Sequence, residues 1–119
     1  MTARSLRLVF AAGVVLSFGC NAERKEECDR FLAAMKPLDQ GMPTAEVVER
    51  VESDVGAIRF QDQPLGVFAK NYKATLTVLS NTLKLQASPS PPDGTDDVVK
   101  ANLKAARTDK DDAVRYCSQ

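Results

Sequence analysis

The sequence predicts an all-α fold, a small antiparallel helical bundle of about four helices. Apolar residues recur at steps of three and four through most of the chain, and no stretch alternates apolar and polar residues in the manner of a strand. Helix formers dominate and aromatics make up only 6% of the residues, which disfavours a β-rich core. Breaks rich in proline or glycine then divide the chain beyond residue 20 into four pieces.

The first piece carries Glu23, Glu26 and Glu27 early, where acidic side chains suit the positive end of a helix dipole. Cys28, Phe31, Leu32, Met35 and Leu38 follow as its apolar face. Pro37 lacks an N–H and crowds the preceding turn, so the helix is expected to stop or kink near Met35 to Lys36. Gln40-Gly41-Met42-Pro43 reads as the first turn, and Thr44 as the cap of a second helix over 45–60. Val47, Val48, Val51, Val55 and Ile58 form its inner face, with Glu46, Glu49, Arg50, Glu52 and Asp54 largely on the other side.

Asp62 before Pro64 reads as a cap followed by proline in the first helical turn, where the missing N–H costs little. The third helix is expected over 64–87, with Leu65, Phe68, Tyr72, Leu76, Leu79 and Leu83 as the central column of the core. A second stripe, Val67, Ala74, Val78 and Leu85, falls on the opposite side of the same helix and is a candidate interaction surface if left uncovered. The segment 88–94, with three prolines and a glycine, reads as a stiff connection. Thr95 is then expected to cap the fourth helix, whose first turn holds Asp96 and Asp97. Val99, Leu103, Ala106, Ala113 and Cys117 make its inner stripe, interrupted by Lys110.

Ahead of these elements, Leu8 to Cys20 is an apolar run without charge, preceded by Arg4 and Arg7 and ending in Ser17-Phe18-Gly19-Cys20. This order is that of a secretory signal, and the run falls short of the roughly 20 residues that span a bilayer. The stretch resembles the signal of a bacterial lipoprotein, in which a cysteine is acylated and becomes the first residue of the mature protein. Such signals usually carry Leu three places before the cysteine, then Ala or Ser, then Gly or Ala. Gly19 fits, Ser17 and Phe18 depart, and Leu16 sits one place early. The resemblance implies a signal over 1–19, lipid attachment at Cys20, a short tether through residue 27, and a bundle domain over 28–119. It also implies a place in the cell envelope, on the periplasmic side of a bacterial membrane. An ordinary signal peptidase cut after Gly19 or after Ala22 is the competing reading and would give a secreted protein.

Three cysteines are an odd number for an exported chain, and lipid on Cys20 would leave Cys28 and Cys117 as a pair. In an up-down-up-down bundle, the start of the first helix lies beside the end of the last, and the two cysteines occupy those ends. A disulfide stapling the first helix to the last is therefore expected. The staple would sit at the end of the bundle that faces the membrane, with the turn around Asp62 beside it. The connections around Gly41 and Pro91 would point away.

The chemistry of the sequence is sparse. It contains no histidine, so a Ser-His-Asp or Cys-His site is impossible and the commonest metal ligand is missing. Asp109, Asp111 and Asp112 lack the glycine and distal Glu of a calcium loop, no glycine-rich phosphate loop exists, and no metal or cofactor is expected beyond the covalent lipid. With Arg4 and Arg7 removed, 14 basic residues face 16 acidic ones, a balance that does not attract nucleic acid. The sequence thus points to a non-catalytic, membrane-anchored interaction or scaffold module of the envelope with a protein partner. The alternative is a carrier holding a small apolar ligand or lipid in a cavity along Phe31, Phe68 and Tyr72. If the anchor reading holds, intact-mass analysis of the mature protein finds lipid on Cys20 at its N-terminus, and Cys20→Ser releases or misprocesses the chain. A mature N-terminus at Glu23 contradicts it.

Overall fold

Local sequence signals set most helix boundaries in the computed structural model, which describes residues 22–119. Helix α1 covers 22–35, so it reaches back through the stretch expected to be a tether. The segment expected to be a signal, with Cys20, lies outside the described residues. Cys28, Phe31 and Met35 bury one face of α1, and Pro37 turns the chain into a single 3-10 turn, Lys36–Leu38, whose Leu38 joins the core. Gly41 takes a positive φ of 62° in the turn that follows.

Helix α2 spans Ala45–Gly56. Its cap is Thr44, whose hydroxyl oxygen accepts the Val47 N–H at 3.3 Å. The expected end at residue 60 is wrong by four residues. The Ile58 N–H closes a tighter bond to the Val55 carbonyl, and the chain then leaves the helix path. That departure carries the Phe60 ring edge-on against Phe31, at a centroid distance of 5.4 Å. Continuing α2 would forfeit that contact.

Helix α3 spans Gln63–Gln86, capped by Asp62, whose carboxylate accepts the Leu65 N–H at 3.2 Å. Its column of Leu65, Ala69, Tyr72, Leu76, Leu79 and Leu83 is buried, and both α2 and α4 pack beside it. Phe68, expected in that column, is only partly buried and tilts against Tyr116.

Helix α4 spans Thr95–Cys117, and its cap differs from expectation. Gly94, at a φ of 84°, is the capping residue, and Thr95 is the first helical residue. The Thr95 hydroxyl donates to the Pro92 carbonyl at 2.6 Å, which ties the proline connection to the helix start rather than capping it. Lys110, the interruption in the inner stripe, reaches across to pair with Asp39 behind the 3-10 turn.

The described chain is thus a four-helix bundle without strands, closed by a disulfide between Cys28 and Cys117, whose Cα atoms lie 5.9 Å apart. The two cysteines are 89 residues apart in sequence, and closing so long a loop contributes about 4–5 kcal/mol in the chain-entropy model. Reduction under otherwise native conditions is expected to lower the melting temperature by about 15 °C or more. Thermal unfolding with and without a thiol reductant measures this. Free alkylation of both thiols without reductant would contradict the pairing.

Candidate functional site

Three regions invite a functional reading: the disulfide end, the bundle interior and the outer face of α3. At the disulfide end Glu27 is buried, and its Oε1 accepts the backbone N–H groups of Gln61 at 2.5 Å and Asp62 at 3.2 Å. It thereby ties α1 to the α2–α3 connection and pairs two part-buried backbone donors there. Arg24 donates to the Tyr116 carbonyl at 2.8 Å and lies over the Tyr116 ring at 4.4 Å. The Tyr116 hydroxyl donates to the Asp62 carboxylate at 2.7 Å, the same group that caps α3, and this bond first, with burial second, raises the Tyr116 pKa. All of these contacts fasten helix ends together. The shallow groove beside them, lined by Arg24, Lys25, Asp29, Leu32 and Val114, is open to solvent and mixes both charges.

In the interior, the position proposed for a ligand cavity is occupied by protein. Phe31 is fully buried and Tyr72 is 1% exposed, and the rings meet edge to face with centroids 6.0 Å apart. Burial foremost, then the charges of Asp39 and Asp109, pushes the Tyr72 pKa well above the ordinary tyrosine value of 10.0. Among the described residues no group of three or more His, Cys, Asp or Glu side chains gathers in metal-binding geometry. No described helix is long and apolar enough to cross a membrane.

The outer face of α3 is different. Val67, Val78 and Leu85 are 53%, 50% and 45% exposed, and Ala74 between them is exposed as well. All four candidate residues therefore lie together on one side of one helix, pointing away from the core. Asn71 and Asn81, also exposed, fill the gaps, so the stripe runs 67, 71, 74, 78, 81, 85 without a charge. The sequence reading missed both asparagines because it sought apolar residues. The alternation of steps of four and three was the signal that would have found them.

Neighbouring helices frame the stripe. On one side Thr77 donates to Glu52, Lys84 pairs with Glu49, and the Lys73 ammonium lies over Gly56, all of them contacts to α2. On the other, Thr75 donates to Asp109 at 2.7 Å and Asn102 donates to Thr82 at 3.2 Å, both contacts to α4. Val98 and Ala105, exposed on the adjoining edge of α4, extend the uncharged surface near the Pro91 end.

Compared with models of known protein families, with curated proteins and with solved structures, the chain finds no match. Function therefore has to be argued from the bundle and its surface alone.

Tyr72 offers a test of how dry the interior is. Its native pKa lies above the unfolded value, so the protonated form favours folding: the stabilisation is full below about pH 10 and is lost as pH rises from there towards the native value. Ultraviolet titration of the native protein is expected to show no Tyr72 ionisation near pH 10, and denaturant midpoints are expected to fall above it. Tyr72 titrating normally in the folded state, read in Tyr116→Phe protein where it is the one tyrosine, would mean that water reaches the core.

Proposed function

We propose that the chain is a lipid-anchored protein of the cell envelope whose bundle acts as a non-catalytic interaction module, with the outer face of α3 as its contact surface. The observation that carries the reading is the exposed, uncharged stripe through Val67, Ala74, Val78 and Leu85. A bundle helix normally turns its polar side to water, and exposing several large apolar side chains in line is costly unless something covers them. Packing of Phe31 against both Phe60 and Tyr72 weighs against the carrier alternative, since those rings occupy the space a ligand would need. The absence of histidine from the sequence and the structural use of Glu27 and Asp62 favour a non-catalytic role.

The anchor reading rests on the signal-like segment ending at Cys20. Helix α1 is already formed at residue 22, so lipid on Cys20 would hold the disulfide end close to the membrane with little slack. The stripe would then stand roughly along the membrane normal, presented sideways to another envelope protein, with no role for nucleic acid.

Val78→Glu is the discriminating variant. Half of the Val78 side chain is in water, so a charge there is expected to change stability by no more than about 0.5 kcal/mol while abolishing association. Thermal melting together with copurification from envelope extracts reads both. A large fall in melting temperature, or unchanged melting with every associated protein retained, would contradict this surface.

A further inference from the structure

We infer that the partner covering the α3 stripe is a second copy of this chain, docked in parallel so that the two α3 helices form a short two-stranded seam. The inference rests on the contact-surface reading above and names its occupant. Positions 67, 71, 74, 78, 81 and 85 alternate steps of four and three, the spacing of a coiled-coil seam, which keeps one stripe facing a like stripe. Asn71, Val78 and Leu85 then occupy one seam position, and Val67, Ala74 and Asn81 the other. Over 19 residues the seam is about 28 Å long. A parallel two-fold pairing places each residue opposite its own copy, so Asn71 meets Asn71 and Asn81 meets Asn81, and no amide is buried against an apolar group.

Charge decides both the partner and its direction. Lys70 lies on the same side of α3 as Thr77 and Lys84, which both contact α2, so the flank towards α2 is basic near the disulfide end. The flank towards α4 is acidic at the same level through Asp109, which holds the Thr75 hydroxyl; Asp112, one turn further along α4, is already paired with Arg115 at 3.8 Å. In a parallel seam the residue at the position of Lys70 faces the residue five further on in the other helix, which is Thr75 with Asp109 behind it. Two-fold symmetry makes this attraction twice. An antiparallel seam instead brings Lys70 towards Lys84 of the second copy and, because Asp109 sits level with Thr75 beside the seam's midpoint, sets Asp109 towards its own copy. Parallel pairing also keeps both disulfide ends, and hence both lipid anchors, on the same side. A seam of under three heptads is short, and confinement of both copies to one membrane raises their effective concentration in compensation.

Cysteine cross-linking of the full chain in its membrane tests this. Val78→Cys and Ala74→Cys are each expected to give a disulfide-linked dimer under mild oxidation, and Lys104→Cys, on the exposed side of α4, is not. Lys70→Glu and Asp109→Lys are each expected to lower the cross-linked fraction of Val78→Cys, reflecting about tenfold weaker association, and the two together are expected to restore it. Should Asp109→Lys disturb folding through Thr75, the cross-links and Lys70→Glu alone still decide the matter. Cross-linking between co-expressed Val67→Cys and Leu85→Cys chains, rather than within Val78→Cys, would overturn the parallel arrangement. A chain that stays monomeric with no cross-link at position 78 overturns the second-copy inference. If Val78→Glu then still abolishes capture of a different envelope protein, the contact-surface reading survives without it.

Discussion

The Cys28–Cys117 bridge is the constraint on which the rest of the arrangement depends. It fixes the start of α1 beside the end of α4, at a Cα separation of 5.9 Å, and so settles which helices can be neighbours in a chain with three connections. A domain of about 100 residues buries a modest share of its surface, and a loop closure contributing about 4–5 kcal/mol is large beside a typical total of 5 to 15. Around the bridge, Glu27, Arg24, Asp62 and Tyr116 bind the α1 start, the α2–α3 connection and the α4 end into one unit. The disulfide end is therefore the most heavily cross-tied part of the described chain.

From that fastening follows the exposure of α3's outer side. With α1 held to α4, and with α2 and α4 both beside α3, the column through Leu65, Tyr72, Leu76 and Leu83 turns inward and its opposite side is left at the outer corner of the bundle. Glu52 and Asp109 engage hydroxyls at the margins of this side, through Thr77 and Thr75, but neither covers it. The apolar stripe is thus a consequence of topology rather than of a poor core, since the core beneath it is filled.

Rigidity and surface belong together in this reading. A face that must meet another protein gains from being held in one conformation before contact, because less ordering is left to be done on binding. Threonines along α3 return their hydroxyls to backbone carbonyls or to neighbouring helices, as Thr75, Thr77 and Thr82 do, which leaves no donor idle at the stripe's borders.

Much of this was legible in the residues. Helical periodicity is a local property, so the inner stripes of the four helices, Phe68 excepted, the stop at Pro37 and the caps at Thr44 and Asp62 could be read from spacing and from the chemistry of short segments, while the pairing of Cys28 with Cys117 followed from the expected bundle order and from the lipid that the resemblance implies on Cys20. The sequence also placed Val67, Ala74, Val78 and Leu85 on one side of α3. It could not say whether that side was covered, because coverage depends on how far neighbouring helices wrap, which no local pattern encodes. Tertiary contact likewise ended α2 at Gly56, where Phe60 was drawn away to meet Phe31. At α4 the difference is local: Gly94 is the cap, while the Thr95 hydroxyl is bonded to the Pro92 carbonyl three residues back. The flanking pattern of Lys70 against Asp109 belongs to the tertiary structure alone, for residues some forty positions apart become one surface only when α3 and α4 lie side by side.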